Sequence, residues 1–96
     1  MSTQSVLDIL RALKPELLLR YKAKEIGLFG SFARSEQSGT SDVDVLVDFE
    51  EGADLLDLVG LAQFLEERLA RRVDVVPRRA LRAELQPFVL RELVSL

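Results

Sequence analysis

The stretch Asp42–Phe49, DVDVLVDF, decides the fold. Side chains alternate along a strand, so Val43, Val45, Val47 and Phe49 share one face and Asp42, Asp44, Leu46 and Asp48 the other. Asp is a poor strand residue. Asp42 and Asp44 nevertheless recur two positions apart, separated by roughly 6.5–7 Å of backbone rise. Two carboxylates on one strand face repel each other unless a cation lies between them. A hard divalent ion takes such oxygen ligands and completes its octahedron with phosphate oxygens and water. The plainer alternative is a half-buried strand whose outer face is simply wet, and that reading suits Asp48, nearer the far end. Asp74 repeats the pattern in RRVDVV, Arg71–Val76. If that strand lies beside the first, three carboxylates converge.

Working outward toward the N-terminus, QSGTS (Gln37–Ser41) is turn chemistry. EIGLFG (Glu25–Gly30) reads as a short apolar strand closed by Gly, and Ser31–Glu36 as one or two helical turns. Ser2–Tyr21 reads as an amphipathic helix, with Val6, Ile9, Leu10, Leu13 and Leu17 at helical spacing. Pro15 is expected to end or kink it near Lys14. Toward the C-terminus, Gly52 breaks the strand pattern and Asp54 caps a helix to about Ala70. The expected buried stripe of that helix is Leu55, Leu58, Val59, Ala62, Leu65 and Leu69. Arg72–Val76 forms a strand stopped by Pro77. A last helix begins near Ala83 and uses Leu85, Phe88, Val89, Leu93 and Leu96, with Pro87 tolerable only in its first turn.

The order helix, strand, short helix, strand, helix, strand, helix predicts an α+β fold. A small mixed sheet of about three strands is covered by about four helices. With 96 residues and no linker, repeat or low-complexity segment, residues 1–96 read as one domain.

Composition narrows the chemistry. Hydrophobic residues make up 48%, enough for a core. The net charge of −3 argues against direct nucleic-acid binding, which usually needs a basic surface. The chain has no Cys and no His, which excludes disulfides, zinc–thiolate sites and imidazole acid–base catalysis. No targeting segment and no membrane span of roughly 20 apolar residues is expected, so the cytoplasm is the default compartment.

The second element with chemical content is FGSFAR, Phe29–Arg34. Gly30 lets the backbone approach a ligand closely. N–H groups at a helix start favour phosphate, Ser31 carries a hydroxyl donor, and Arg34 follows one turn on. Taken alone this is an ordinary strand-to-helix turn with a Ser cap. Neither GxxxxGK[ST] nor GxGxxG is present.

Gly30-Ser31, the residues 32–41, and Asp42-x-Asp44 together closely resemble the motif of the DNA polymerase β-like nucleotidyltransferase superfamily. The stretch GSFARSEQSGTSDVDVLVDF is similar to its minimal nucleotidyltransferase members. Asp74 stands where that family has a third carboxylate, and the tail ALRAELQPFVLRELVSL is also similar. The resemblance runs from Glu25 onward. Ser35 departs from it, standing where many relatives carry Gly, and Ala83 replaces a frequent Pro.

The resemblance implies the polymerase β-like nucleotidyltransferase fold and a nucleotidyl transfer. Asp42, Asp44 and Asp74 would be the catalytic, metal-holding residues for a pair of Mg²⁺ ions. Gly30, Ser31 and Arg34 would bind the phosphates of ATP; on a bland reading Arg34 pairs with Glu36 or Asp48. Minimal members commonly accompany a HEPN-domain toxin as its antitoxin, attaching AMP to a hydroxyl side chain of the toxin. Alternatives remain open at this stage: transfer to a small-molecule hydroxyl, neutralisation of a partner by contact alone, or a scaffold with a wet acidic face. An apolar patch on the last helix would serve a homo-oligomer or a partner equally well.

Overall fold

The computed structural model describes all residues, Met1–Leu96. Its centre is the valine-rich strand. β2 (Val43–Phe49) buries Val43, Val45 and Val47 completely on one face. β1 (Ala23–Phe29) runs antiparallel to it, with Leu28 opposite Val45 and Phe29 opposite Asp44. β3 (Val73–Pro77) runs parallel on the other side, with Asp74 opposite Asp44. A parallel neighbour needs a crossover, and α3 (Leu55–Leu69) supplies it. α1 (Thr3–Tyr21) packs beside α3 over the valine face. α2 (Gly30–Ala33) follows β1 directly, and α4 (Gln86–Glu92) lies near the C-terminus. A 3₁₀ turn, Arg78–Ala80, follows β3.

The starts of α1 and α3 are set by side chains. Asp54 Oδ1 accepts the Asp57 N–H at 3.1 Å, and Asp57 Oδ2 accepts the Asp54 N–H at 3.0 Å. This reciprocal pair satisfies two of the orphan donors that every helix start carries. Ser2 and Ser5 form the same box at α1.

The structure departs from the sequence reading at four places. First, the sheet has four strands, not three, in the order β3-β2-β1-β4. β4 (Val94–Ser95) pairs antiparallel with β1, Val94 opposite Leu28, where the last helix was expected to continue to Leu96. An edge strand offers unpaired N–H and C=O groups, and the C-terminal residues take them: the Leu96 N–H donates to the Ile26 carbonyl at 3.0 Å.

Second, Pro15 neither ends nor breaks α1, which runs on to Tyr21. An interior Pro costs about 3 kcal/mol. Leu10 on one side of it and Leu17 on the other are fully buried, so tertiary packing overrides the local cost. Third, α3 is rotated from the expected stripe. Leu65 and Leu69 are buried as expected, but Leu61 and Phe64 join them, while Leu55 and Val59 are exposed. The rotation turns Gly60 toward the Tyr21 ring, where a Cβ would crowd the aromatic carbons. Fourth, α4 is short. Pro87 sits in its first turn, Val89 is its one buried residue, and Phe88 is exposed.

Three non-glycine residues, Lys22, Ser35 and Ala70, adopt positive φ. Ser35 is the position where Gly is usual in the resembling family, and its φ of +57° gives the physical reason. Ala70 ends α3 at φ +54°, with its N–H bonded to the Glu66 carbonyl. Left-handed backbone costs an L-residue about 1–2 kcal/mol that Gly escapes. Ala70→Gly, which removes only an exposed methyl, should therefore stabilise the chain by about 1 kcal/mol after the entropy of Gly is subtracted. Chemical denaturation with an unchanged m-value checks this; a lower midpoint would contradict it.

Candidate active site

The end of β1 and the beginnings of β2 and β3 meet at one end of the sheet. The meeting point is set by register. Phe29 pairs with Asp44, so the turn that begins at Gly30 lies directly over the Asp44 carboxylate. Gly30 has φ +77°, and a Cβ there would collide with Asp44 Oδ2. Both conditions call for glycine. The turn is closed by the Arg34 N–H on the Gly30 carbonyl at 3.1 Å and the Glu36 N–H on the Ser31 carbonyl at 2.9 Å. Phe32 anchors it by complete burial, with the Arg71 guanidinium 5.3 Å over its ring.

α2 is only four residues long. The dipole of a long helix therefore does not operate here. Whatever anion affinity the turn has rests on Gly30, Ser31 and Arg34 themselves. The Ser31 hydroxyl makes no hydrogen bond within the chain, and its side chain is half-exposed.

Asp44 and Asp74 are neighbours across the parallel pair. Asp42 stands one residue before β2, exposed, after a turn in which the Ser38 N–H donates to Ser41 Oγ at 2.8 Å. Arg71 holds that turn by donating to the Ser41 carbonyl at 3.2 Å. None of the three acids joins an ion pair. Asp44 is half-buried, and its pKa is pushed up from 3.8 to about 6. Burial is the largest cause, followed by the charges of Asp74 and then Asp42, with Arg34 opposing and Glu92 adding slightly. Uncompensated carboxylate oxygens of this kind suit a hard cation such as Mg²⁺. No three of them stand close enough to cage an ion unaided. A cation held here would need further oxygens from water or a bound ligand to complete its shell.

Glu92 was missed by sequence reading. Its carboxylate accepts the Gly30 N–H at 3.0 Å and Arg34 Nη1 at 2.9 Å. Nothing in the sequence marked it, because a Glu at the end of a short amphipathic helix is ordinary. Arg34 also donates to Glu36 at 3.0 Å, and both carboxylates hold its pKa above the usual value. It does not pair with Asp48. Asp48 instead borders a separate cleft of about 370 Å³ with Arg78, Arg79, Leu81, Gln86 and Leu90, further along the same sheet face. The ledge carrying Asp42, Asp44 and Asp74 lies outside that cleft.

The glycine turn is thus laid on a strand carboxylate, beside a second acid on the parallel strand. A family model described as a nucleotidyltransferase domain matches residues 10–95. The protein adenylyltransferase MntA of Thermococcus cleftensis is 44% identical over 94 residues, covering 98% of this chain and 95% of that protein. A solved structure assigned as a minimal nucleotidyltransferase superposes with a TM-score of 0.87 at 41% identity, covering 100% and 97% of the two chains. A toxin–antitoxin complex with AMP-PNP gives 0.70 at 27% identity, covering 99% and 72%. A tri-AMPylated Shewanella oneidensis HEPN toxin in complex with its MNT antitoxin gives 0.70 at 25% identity, covering 97% and 70%. This chain belongs to the minimal nucleotidyltransferase family, and its activity is nucleotidyl transfer. No helix of it is long and apolar enough to cross a membrane.

The raised pKa of Asp44 has a signed consequence for stability. The folded form holds its proton more tightly than the unfolded form, so the contribution of Asp44 to stability is fully present below pH 3.8 and is lost as pH rises through about 6. Solvent screening reduces the size of the effect, because the group is only half-buried. Asp44→Asn should therefore melt a few degrees higher than the parent at pH 7–8 without metal, with the gap closing near pH 4. Equal or lower melting at pH 7 would mean that Asp44 has a structural partner.

Proposed function

We propose that the chain is an Mg²⁺-dependent protein adenylyltransferase, transferring AMP from ATP to a hydroxyl side chain of a HEPN-domain toxin for which it is the antitoxin. The observation that carries this reading is the contact of the Gly30 turn with Asp44, which sets phosphate donors against carboxylates. The names of its relatives support the finer part: MntA is a protein adenylyltransferase, and a solved relative accompanies an AMPylated HEPN toxin.

In this reading the Gly30 and Ser31 N–H groups and the Ser31 hydroxyl bind the β- and γ-phosphates, and Arg34 neutralises part of their charge. Asp42, Asp44 and Asp74 would hold Mg²⁺, which supplies charge neutralisation at the phosphate oxygens and acidifies the attacking hydroxyl. Asp74, on the exposed side, faces the acceptor and takes the hydroxyl proton. The acceptor oxygen bonds to the α-phosphorus as the bond to the β-phosphate bridging oxygen breaks, in line, and pyrophosphate leaves. The ledge is open, so a hydroxyl borne on another protein can reach it. A cytoplasmic location, where ATP is abundant, suits this reading.

The test is intact-mass spectrometry of the chain with its HEPN partner, ATP and Mg²⁺. The partner should gain mass in multiples of one adenylyl group, and EDTA should abolish the gain. Asp44→Asn should slow it by at least ~10²-fold, since metal-borne charge stabilisation is worth several kcal/mol. Neutralisation of the toxin without a mass gain would replace this reading with one of contact.

A further inference from the structure

Two of the groups assigned to phosphate already hold an anion of the chain's own. Glu92 Oε1 takes the Gly30 N–H at 3.0 Å, and Oε2 takes Arg34 Nη1 at 2.9 Å. A carboxylate spanning a backbone amide and a guanidinium uses the same donors, in the same charge-assisted way, as a pair of phosphate oxygens. Glu92 is the last residue of α4 and the one acid on that helix. Its side chain is only 24% exposed.

The element that carries it is fixed in place. Leu93, the next residue, packs against Gly27 so closely that a Cβ there would clash. Val94 and Ser95 then pair with β1. Glu92 is thus delivered to the site by backbone that the sheet itself holds. Its charge also adds to the negative field at Asp44.

We propose that Glu92 is an internal competitor for the donor's phosphates. Its carboxylate leaves Gly30 and Arg34 when the triphosphate takes them, and so it sets the nucleotide affinity of the site. The inference rests on the reading of Gly30, Ser31 and Arg34 as the phosphate site. A residue that merely shaped the Gly30 turn would have the opposite effect: its removal would loosen the turn and weaken nucleotide binding.

The experiment is calorimetric titration of the full chain, Glu92→Gln and Glu92→Ala, each with inorganic triphosphate plus Mg²⁺ and with ATP plus Mg²⁺. Without ligand both variants should melt lower than the parent. With ligand both should bind about 5–10-fold tighter, the size of effect expected from removing one charged competitor. Glu92→Gln keeps an oxygen acceptor for the Gly30 N–H, so it retains the turn should Glu92→Ala not fold. Unchanged or weaker binding by Glu92→Gln, with a parent that binds both probes, overturns the competitor and leaves the phosphate site standing. No binding of either probe by the parent or by either variant overturns the phosphate site and the competitor with it.

Discussion

The contact between Gly30 and the Asp44 carboxylate constrains everything around it. The turn can lie so close only because residue 30 has no side chain and tolerates φ of +77°. Its position is set by the sheet rather than by a flexible loop, since Phe29 is paired with Asp44. The register is in turn enforced by the opposite face of β2. Val43, Val45 and Val47 are fully buried, and a slip of one residue would carry Asp44 into their place. A buried, unpaired carboxylate is costly enough to forbid that slip. The apolar core and the acidic ledge are two faces of the same alternation.

The sheet also keeps together charges that would otherwise separate. Asp44 and Asp74 face each other across a parallel pair with no cation of the chain bonded to either. The fold gives up some stability at this point, as functional sites often do. Packing elsewhere offsets the loss, notably the sixteen-residue core that joins α1, α3 and the valine face. The C-terminal segment closes the other side of the site. It completes the sheet edge at β4 and places Glu92 on the glycine turn, so one short stretch has both a structural and an electrostatic effect.

Much of this was legible in the residues. The alternation in DVDVLVDF is local and strong, so the strand, its faces and the unusual acids could all be read directly. Asp54 announced a helix start because capping depends on residues a turn apart. What escaped depends on partners distant in sequence. Pro15 looked like a helix end because the buried leucines that hold α1 together on both sides of it act through tertiary packing. Val94 and Ser95 became a strand because β1 offered a free edge, which no local pattern discloses. The α3 stripe was right at Leu65 and Leu69 but wrong toward the helix start, where Gly60 and Phe64 answer to Tyr21, a residue on another helix. Glu92 escaped for the same reason: its bond to Gly30 spans 62 positions.

On this reading the Asp42–Asp44–Asp74 ledge and the Gly30 turn together hold a metal-bound nucleoside triphosphate. A crystal structure of the chain with AMP-PNP and Mn²⁺, read by anomalous scattering, tests it most directly. The expected result is a manganese peak bounded by Asp42 and Asp44, with the β- and γ-phosphates on Gly30 and Ser31. A nucleotide seated in the Arg78–Arg79 cleft, with no manganese at the carboxylates, would contradict it.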